Sequence, residues 1–152
     1  GAAWARGLEE GDGCALFGPR GSLDLNALGR PALLFGDETS FALAHALRFT
    51  PASAQGAHLV LEVTSKAASA AALDAIGVEG AHLVERRPED VHLGEVQEYT
   101  AHLLQTRSIE GGALSGKSTS IQRMNKQLRQ LGLPRARLQV KAYWAPGKTG
   151  LD

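Results

Sequence analysis

The sequence is poor in several features that would indicate particular classes of protein. Its 152 residues include one cysteine, Cys14, which cannot form a disulfide within the chain, so we expect a reducing, cytoplasmic environment. No apolar run approaches the roughly 20 residues of a membrane-spanning helix, and no signal peptide is evident, so we expect no membrane partner. The 16 basic and 16 acidic residues balance, which argues against general nucleic-acid binding.

The five histidines also lack the spacing of a metal site. They are His45, His58, His82, His92 and His102. None forms a metal-ligand pattern with the cysteine or with acidic residues, so we expect structural or surface roles for them and no bound metal.

Length and composition indicate one globular domain with additional residues before it. Hydrophobic residues account for 43% of the chain and charged residues for 21%, which is typical of a folded protein. Residues 9–13 and 18–22 are rich in turn-forming types and flank a short predicted strand at 14–17, for which the later residues offer no partner. We therefore predict that residues 1–29 are the end of a preceding domain and that residues 30–152 form the main domain.

From residue 31 onward, predicted strands alternate with predicted helices. Apolar runs predict five strands, at residues 32–35, 58–63, 81–85, 112–115 and 138–143. Apolar spacing and helix-ending residues predict four helices: three at residues 41–49, 67–75 and 88–107, and a fourth that follows a turn at 116–120 and ends at residue 131. In the last helix, the residues expected to face the core are Ile121, Met124, Leu128 and Leu131. The alternation predicts an α/β fold, a three-layer sandwich with a five-stranded parallel sheet.

The turn after the first strand is the first candidate binding element. It consists of Gly36, Asp37, Glu38, Thr39 and Ser40. A helix N-terminus offers unpaired N–H groups to an anion, but Asp37 and Glu38 have the wrong charge for that purpose. We therefore predict that at least one of them turns away from the crevice and accepts hydrogen bonds from backbone N–H groups. Thr39 and Ser40 are expected mainly to cap the helix, a role that still permits contact with a ligand phosphate.

Residues that follow the other strands are further candidates, because ligands bind outside the carboxyl ends of parallel strands. These residues are Thr64, Ser65, Lys66, Arg86, Arg87, Gly116, Lys117, Tyr143 and Trp144. The cations could bind a phosphate or remain solvated. The two aromatic residues could cover a planar ligand or belong to the core.

One segment matches the phosphate loop of nucleoside triphosphatases. Gly111, Gly116, Lys117 and Ser118 fit the pattern GxxxxGK[ST]. That loop requires an apolar strand before its first glycine, whereas here the apolar residues lie inside the motif. We therefore prefer an ordinary strand-to-helix turn at residues 116–118, with a triphosphatase as the alternative.

Three segments, in order along the chain, resemble the siderophore-interacting proteins, which are flavin-dependent ferric-siderophore reductases of the ferredoxin–NADP reductase superfamily. Residues 141–152, KAYWAPGKTGLD, resemble the C-terminal signature of that family. Residues 36–39 are similar to its Gly-Asp-Glu-Thr turn. Residues 11–12 and 18–22 are similar to the segment that leaves its flavin-binding barrel.

The resemblance implies the second half of a two-domain enzyme, in which a flavin-binding β-barrel precedes an NAD(P)H-binding α/β domain. The family's flavin motif, Arg-x-Tyr-Ser/Thr, is absent from this chain, so FAD is expected only in a longer protein that contains the barrel. The resemblance implies cofactor-binding roles for residues 36–39, for Gly116 and Lys117, and for Tyr143 and Trp144. By their position after predicted strands, Ser40, Thr64, Ser65 and Lys66 are also candidate cofactor-binding residues. Lys141 and Lys148 are candidates for binding an anionic ferric siderophore.

No catalytic side chain is expected, because the cofactors of such an enzyme carry the redox chemistry and the protein aligns them. NADPH is preferred over NADH, since residues 64–66 contain no acid that would bond a free ribose 2′-hydroxyl. A non-catalytic α/β nucleotide-binding module is the remaining alternative.

Overall fold

Within residues 6–13, 15, 23–51 and 56–148, which this computed structural model describes, five parallel strands form a sheet with helices on both faces. The strands are β1 (Ala32–Gly36), β2 (Ala57–Val63), β3 (His82–Glu85), β4 (Gly111–Lys117) and β5 (Leu138–Trp144). The helices are α1 (Phe41–Leu47), α2 (Lys66–Ala75), α3 (Leu93–Thr106) and α4 (Ser118–Gln130). The predicted α/β fold with a parallel sheet is confirmed. The strand predicted at 14–17 and the turn at 18–22 fall almost entirely outside the described residues, as does the end of the C-terminal motif.

The order of the strands creates a crevice at the middle of the sheet. Across the sheet the order is β3-β2-β1-β4-β5. The chain runs from β1 through β2 to the edge strand β3, and then returns to form β4 and β5 on the other side of β1. β1 therefore has a neighbour on each side, and Phe35 of β1 pairs with Val60 of β2 and with Leu114 of β4. The direction of winding therefore reverses between β1 and β4, and their carboxyl ends form the topological switch point where such sheets bind ligands.

Alternation along the strands produces two cores. Leu33 and Phe35 of β1 belong to a buried cluster with residues of α3 and α4, whereas Ala32 and Leu34 belong to a second cluster with residues of α1 and α2. Successive side chains of a strand point to opposite faces, so a run that is apolar throughout indicates burial on both faces. The sheet is thus the central layer of the predicted sandwich.

The helix boundaries differ from the predictions at three places. α1 ends at Leu47, and Phe49, predicted to be helical, is 76% exposed. The helix predicted from Pro88 begins instead at Leu93, after a 3₁₀ turn at Pro88–Asp90 that contains left-handed residues. Leu131, predicted to be buried, is 42% exposed because it lies just past the end of α4, and Leu133 occupies the core instead.

The segment that matches the phosphate-loop pattern is a strand. Gly111–Lys117 forms β4, which pairs with β1 over residues 111–114 and with β5 over residues 112–117. An extended strand cannot wrap a phosphate with successive N–H groups, so the triphosphatase alternative is wrong. The turn predicted at 116–118 is correspondingly shorter, since Gly116 and Lys117 end the strand and Ser118 already begins α4.

In the part of the chain that the structure describes, no helix is long and apolar enough to cross a membrane.

Candidate functional site

Asp37 is the centre of a hydrogen-bond network that joins three strand ends. It directly follows β1 and is fully buried. Its Oδ1 accepts from the backbone N–H and the hydroxyl of Thr39, at 2.9 and 2.5 Å. Its Oδ2 accepts from the backbone N–H of Lys117 at 2.9 Å and from the indole Nε1–H of Trp144 at 2.8 Å. The prediction that an acid of this turn accepts from backbone N–H groups is therefore confirmed, and this carboxylate also fixes the position of Trp144.

Ser40 occupies the predicted N-cap position of α1, but the side-chain cap of this turn is made by Asp37. Asp37 caps the 3₁₀ turn Glu38–Ser40, and a capping box links it to Ser40. The hydroxyl of Ser40 donates to the backbone carbonyl of Ser115 at 3.2 Å, and at the start of α1 it makes no side-chain cap. Thr39 donates its hydroxyl to Asp37 instead of capping α1. An aspartate caps as well as a serine or threonine, so composition alone could not decide among these neighbours.

Two glycines leave room for this arrangement. A Cβ atom on Gly36 would overlap the side chain of Ser40. Gly116 has φ +121°, and a Cβ atom there would overlap the carboxylate of Asp37. The pairing of β4 with β5 is also irregular at Gly116 and Lys117. This bulge turns the Lys117 N–H toward Asp37.

Glu38 points toward β2 and β3 rather than into open solvent. Its Oε1 accepts from the backbone N–H of Thr64 at 2.6 Å, and both carboxylate oxygens bind the guanidinium of Arg86. Arg86 also donates to the hydroxyl of Thr64 at 2.9 Å. Partial burial raises the pKa of Glu38, but the Thr64 N–H, its own N–H and the nearby Arg86 outweigh that effect and leave the pKa below its ordinary value. Arg86 is therefore paired and not solvated.

Lys117 is the second cation at this edge of the sheet, and it too is paired. Its Nζ lies 2.6 and 2.8 Å from the two carboxylate oxygens of Asp90, which follows β3. The Nζ of Lys117 lies 6.0 Å from the centroid of the Trp144 ring, and the Cζ of Arg86 lies 5.9 Å from it. Two cations thus approach one indole at the distance of cation–π contacts.

A buried pair supports the loop that carries Arg86 and Asp90. His92 and Glu62 are fully buried, with His92 Nε2 2.7 Å from the Glu62 carboxylate. The backbone N–H of Arg87 donates to Nδ1 of His92 at 3.3 Å. Since Nδ1 accepts, Nε2 is the nitrogen that donates to Glu62. The start of the loop is thereby attached to the interior of the sheet.

Several residues predicted for the site lie apart from this network. Ser65 caps α2 by accepting from the N–H of Ala68 at 3.3 Å, and Lys66 is exposed in the first turn of α2. Tyr143 is 52% exposed, so it does not belong to the core. Lys141 and Lys148 are exposed on β5 and after it.

The network also contains a residue that sequence reasoning missed. Asp90 carried no signal, because its contact with Lys117 depends on the left-handed turn at Glu89 and Asp90, where neither residue is glycine. Arg86 was a candidate only because it follows β3. Among the described residues, no cluster of three or more metal-ligating side chains occurs.

Comparison with protein-family models identifies the family of this chain. The family model for siderophore-interacting proteins matches residues 30–147. The chain belongs to the siderophore-interacting protein family. The family predicted from the three motifs is therefore confirmed. No curated protein sequence matches the chain.

Solved structures are similar in fold. The siderophore-interacting protein SipS from Aeromonas hydrophila has a TM-score of 0.60 and 20% identity, over 82% of this chain and 49% of that protein. A siderophore utilization protein from T. fusca has a TM-score of 0.50 and 21% identity, over 80% of this chain and 47% of that protein. The C-terminal domain of a hydrogenase from Pyrococcus furiosus has a TM-score of 0.50 and 14% identity, over 82% of this chain and 98% of that domain. The chain thus spans about half the length of the two siderophore proteins, and these likenesses concern the fold alone.

Proposed function

We propose that residues 30–152 are the NAD(P)H-binding module of a flavin-dependent oxidoreductase that passes electrons from NAD(P)H through FAD to a ferric siderophore, releasing iron as Fe(II). Membership of the siderophore-interacting protein family supports the reaction class. The observation that carries the nucleotide-binding role is the network at the switch point, where Asp37 holds Trp144 beside Lys117. Residues 1–29 are proposed to be the end of the flavin-binding domain, and the complete enzyme to be cytoplasmic.

The residues present fit a nicotinamide dinucleotide. The switch point is where doubly wound sheets bind such ligands. Trp144 is half-buried and held by its N–H, so its ring is positioned to contact a planar group. Lys117 and Arg86 have the charge that a pyrophosphate requires. Neither acid of the turn points freely at a phosphate, because Asp37 faces four donors and Glu38 faces Arg86.

The chain's own contribution to the reaction is binding and orientation. When bound, the nicotinamide and the flavin supply the hydride and single-electron chemistry. Lys117 and Arg86 hold the phosphates, and Trp144 limits the positions that the planar end of the ligand can take. Asp37 keeps Trp144 and the end of β4 in place. No side chain of this site is required to move a proton.

NADPH is the proposed form of the nucleotide. Residues 64–66, at the end of β2, contain no acid that would accept from a ribose 2′-hydroxyl, and Lys66 is an exposed cation at that point. Lys141 and Lys148 are proposed to attract the anionic ferric siderophore, because both are exposed and carry a positive charge. Lys141 lies on β5 and Lys148 lies after it.

The binding role is tested on the chain itself. NADPH and NADH are titrated while tryptophan fluorescence is recorded, in a Trp4→Phe background so that Trp144 alone reports. Lys117→Met is expected to weaken NADPH binding about tenfold, which corresponds to the loss of one charge-assisted hydrogen bond. Lys126→Met, an exposed lysine of α4, is the matched control and should bind as the wild type does. Absence of NADPH binding by the wild type would overturn the proposal.

The redox role is tested on a longer protein that contains the proposed flavin domain. It should show a flavin absorption spectrum and should oxidise NADPH when a ferric siderophore is added. A protein that binds nucleotide but transfers no electrons would instead be the non-catalytic binding module.

A further inference from the structure

The segment between β3 and α3, residues 86–92, is fixed at both ends; we call it the strap. At its start, Arg86 binds Glu38 in the turn that follows β1. The backbone N–H of Arg87 donates to His92 at the other end of the strap, and His92 is itself bound to the buried Glu62. These contacts attach both ends of the strap to the sheet, so any movement of the strap is confined to its middle.

The middle of the strap is strained and is held by one ion pair. Glu89 and Asp90 have φ values of 55° and 58°, a left-handed conformation that disfavours residues with a Cβ atom. Asp90 places both carboxylate oxygens within 2.8 Å of Lys117 Nζ. The side chain of Asp90 is 28% exposed and that of Lys117 is 11% exposed, so this pair is partly shielded from water. The ion pair opposes the tendency of the backbone to leave this conformation.

The ion pair crosses the crevice. Lys117 ends β4, whereas Asp90 follows β3, and β2 and β1 lie between those strands in the sheet. The contact therefore spans the carboxyl ends of β2 and β1 beside the switch point. It also engages the cation that the proposed nucleotide site needs for a phosphate. Closing the strap and binding a phosphate at Lys117 are thus alternatives.

We propose that the Asp90–Lys117 pair is a latch that keeps the crevice closed, and that a phosphate-bearing ligand opens it by replacing the Asp90 carboxylate on Lys117. This inference rests on the proposed nucleotide-binding function. A phosphate group carries more charge and more acceptor oxygens than a carboxylate, so it competes well for the ammonium group. Release of Asp90 also lets the residues in the middle of the strap return to a relaxed conformation. Asp90 is therefore a residue that sets affinity without touching the ligand.

The latch is tested by removing the charge of Asp90. Asp90→Asn should bind both NADPH and inorganic pyrophosphate about fivefold more tightly than the wild type, because Lys117 no longer has a competing carboxylate. Glu95→Gln is the matched control, since it removes the same charge from the exposed pair with Arg87, close to the strap. Dissociation constants are measured by calorimetry, and the control should stay within about twofold of the wild type.

The two probes separate the latch from the proposed function. If Asp90→Asn binds pyrophosphate more tightly but neither protein binds NADPH, the latch stands and the nucleotide-binding function fails. If the wild type binds NADPH but Asp90→Asn binds neither probe more tightly than Glu95→Gln does, the latch is wrong and the function stands. An Asp90→Asn variant that binds neither probe also overturns the latch.

Hydrogen exchange of the unmodified protein provides a second measurement. The N–H of Asp90 donates to Arg87 O and the N–H of Val91 donates to Pro88 O, each at 3.3 Å. With saturating pyrophosphate, these amides should exchange faster while the amides of β1 stay protected. Unchanged exchange in the strap would contradict opening even if the variant failed to fold.

Discussion

Replacing Asp37 with asparagine tests whether the buried carboxylate organises the carboxyl edge of the sheet. Among the described residues, the carboxylate accepts four hydrogen bonds and forms no ion pair, so each of these bonds needs an acceptor oxygen on the side chain. Asparagine has the same shape but only one acceptor oxygen. Whichever way the amide is turned, its NH₂ group faces N–H groups, either that of Thr39 or those of Lys117 and Trp144.

The expected cost depends on those unsatisfied donors. With the amide oxygen toward Lys117 and Trp144, the Thr39 hydroxyl can rotate and accept, but the Thr39 N–H loses its partner. A buried donor without a partner costs about 1–3 kcal/mol, and the weaker bonds to a neutral amide add to that loss. Removal of a buried charge offsets part of it. We expect a net loss of about 3 kcal/mol in the free energy of unfolding, which is large beside the total of about 5–15 kcal/mol for a domain.

Thermal and chemical denaturation measure this loss. For a domain of this size, about 3 kcal/mol lowers Tm by about 9 °C. Asp74→Asn is the matched control, because Asp74 is exposed on α2 and the same substitution there should leave Tm unchanged. If Asp37→Asn melted at the wild-type temperature, the carboxylate would not be what joins β1, β4 and β5.

Two further substitutions probe the same region. Gly116→Ala should destabilise the protein by about 3 kcal/mol, because its Cβ overlaps the Asp37 carboxylate and its φ is +121°; Gly132→Ala, with φ +97° and nothing within 4 Å, should cost only about 1 kcal/mol of strain. Equal losses in urea denaturation would show that the overlap is relieved. The lowered pKa of Glu38 contributes stability that is present above the ordinary value of 4.5 and is lost as the pH falls through the folded-state pKa. Glu38→Gln should therefore lose less stability on acidification, and parallel pH profiles for variant and wild type would contradict this.

The fold could be predicted because its signals are local and agree with one another. Runs that are apolar throughout, such as residues 58–63, indicate strands covered on both faces, and the spacing of Leu93, Val96 and Leu103 indicates a helix with one buried stripe. Alternation of the two types then leaves few topologies. Errors arose at helix ends, as at Glu89 and Leu131, where the backbone leaves the helical conformation and the side-chain periodicity does not report that change.

The candidate site could be predicted only in part, because its contacts join residues that are far apart in sequence. Position after a strand was enough to select Asp37, Lys117 and Trp144 separately. It could not show that the Asp37 carboxylate accepts hydrogen bonds from the N–H groups of Lys117 and Trp144, nor that Asp90 forms an ion pair with the ammonium group of Lys117. Both depend on the register of β4 against β1 and on a strained turn, and neither is encoded in a short motif.

The charges at this edge also indicate how the site would discriminate among ligands. Asp37, Glu38 and Asp90 provide three carboxylates, whereas Arg86 and Lys117 provide two cations, and each cation already has an acidic partner. Such a site does not attract a small anion by its net charge, so pyrophosphate alone should bind weakly to the wild type. A ligand that also contacts the Trp144 ring gains a contribution that free phosphate lacks. On the proposed function, the acids whose charge opposes a phosphate are therefore what restricts the crevice to ligands that combine a phosphate with a planar group.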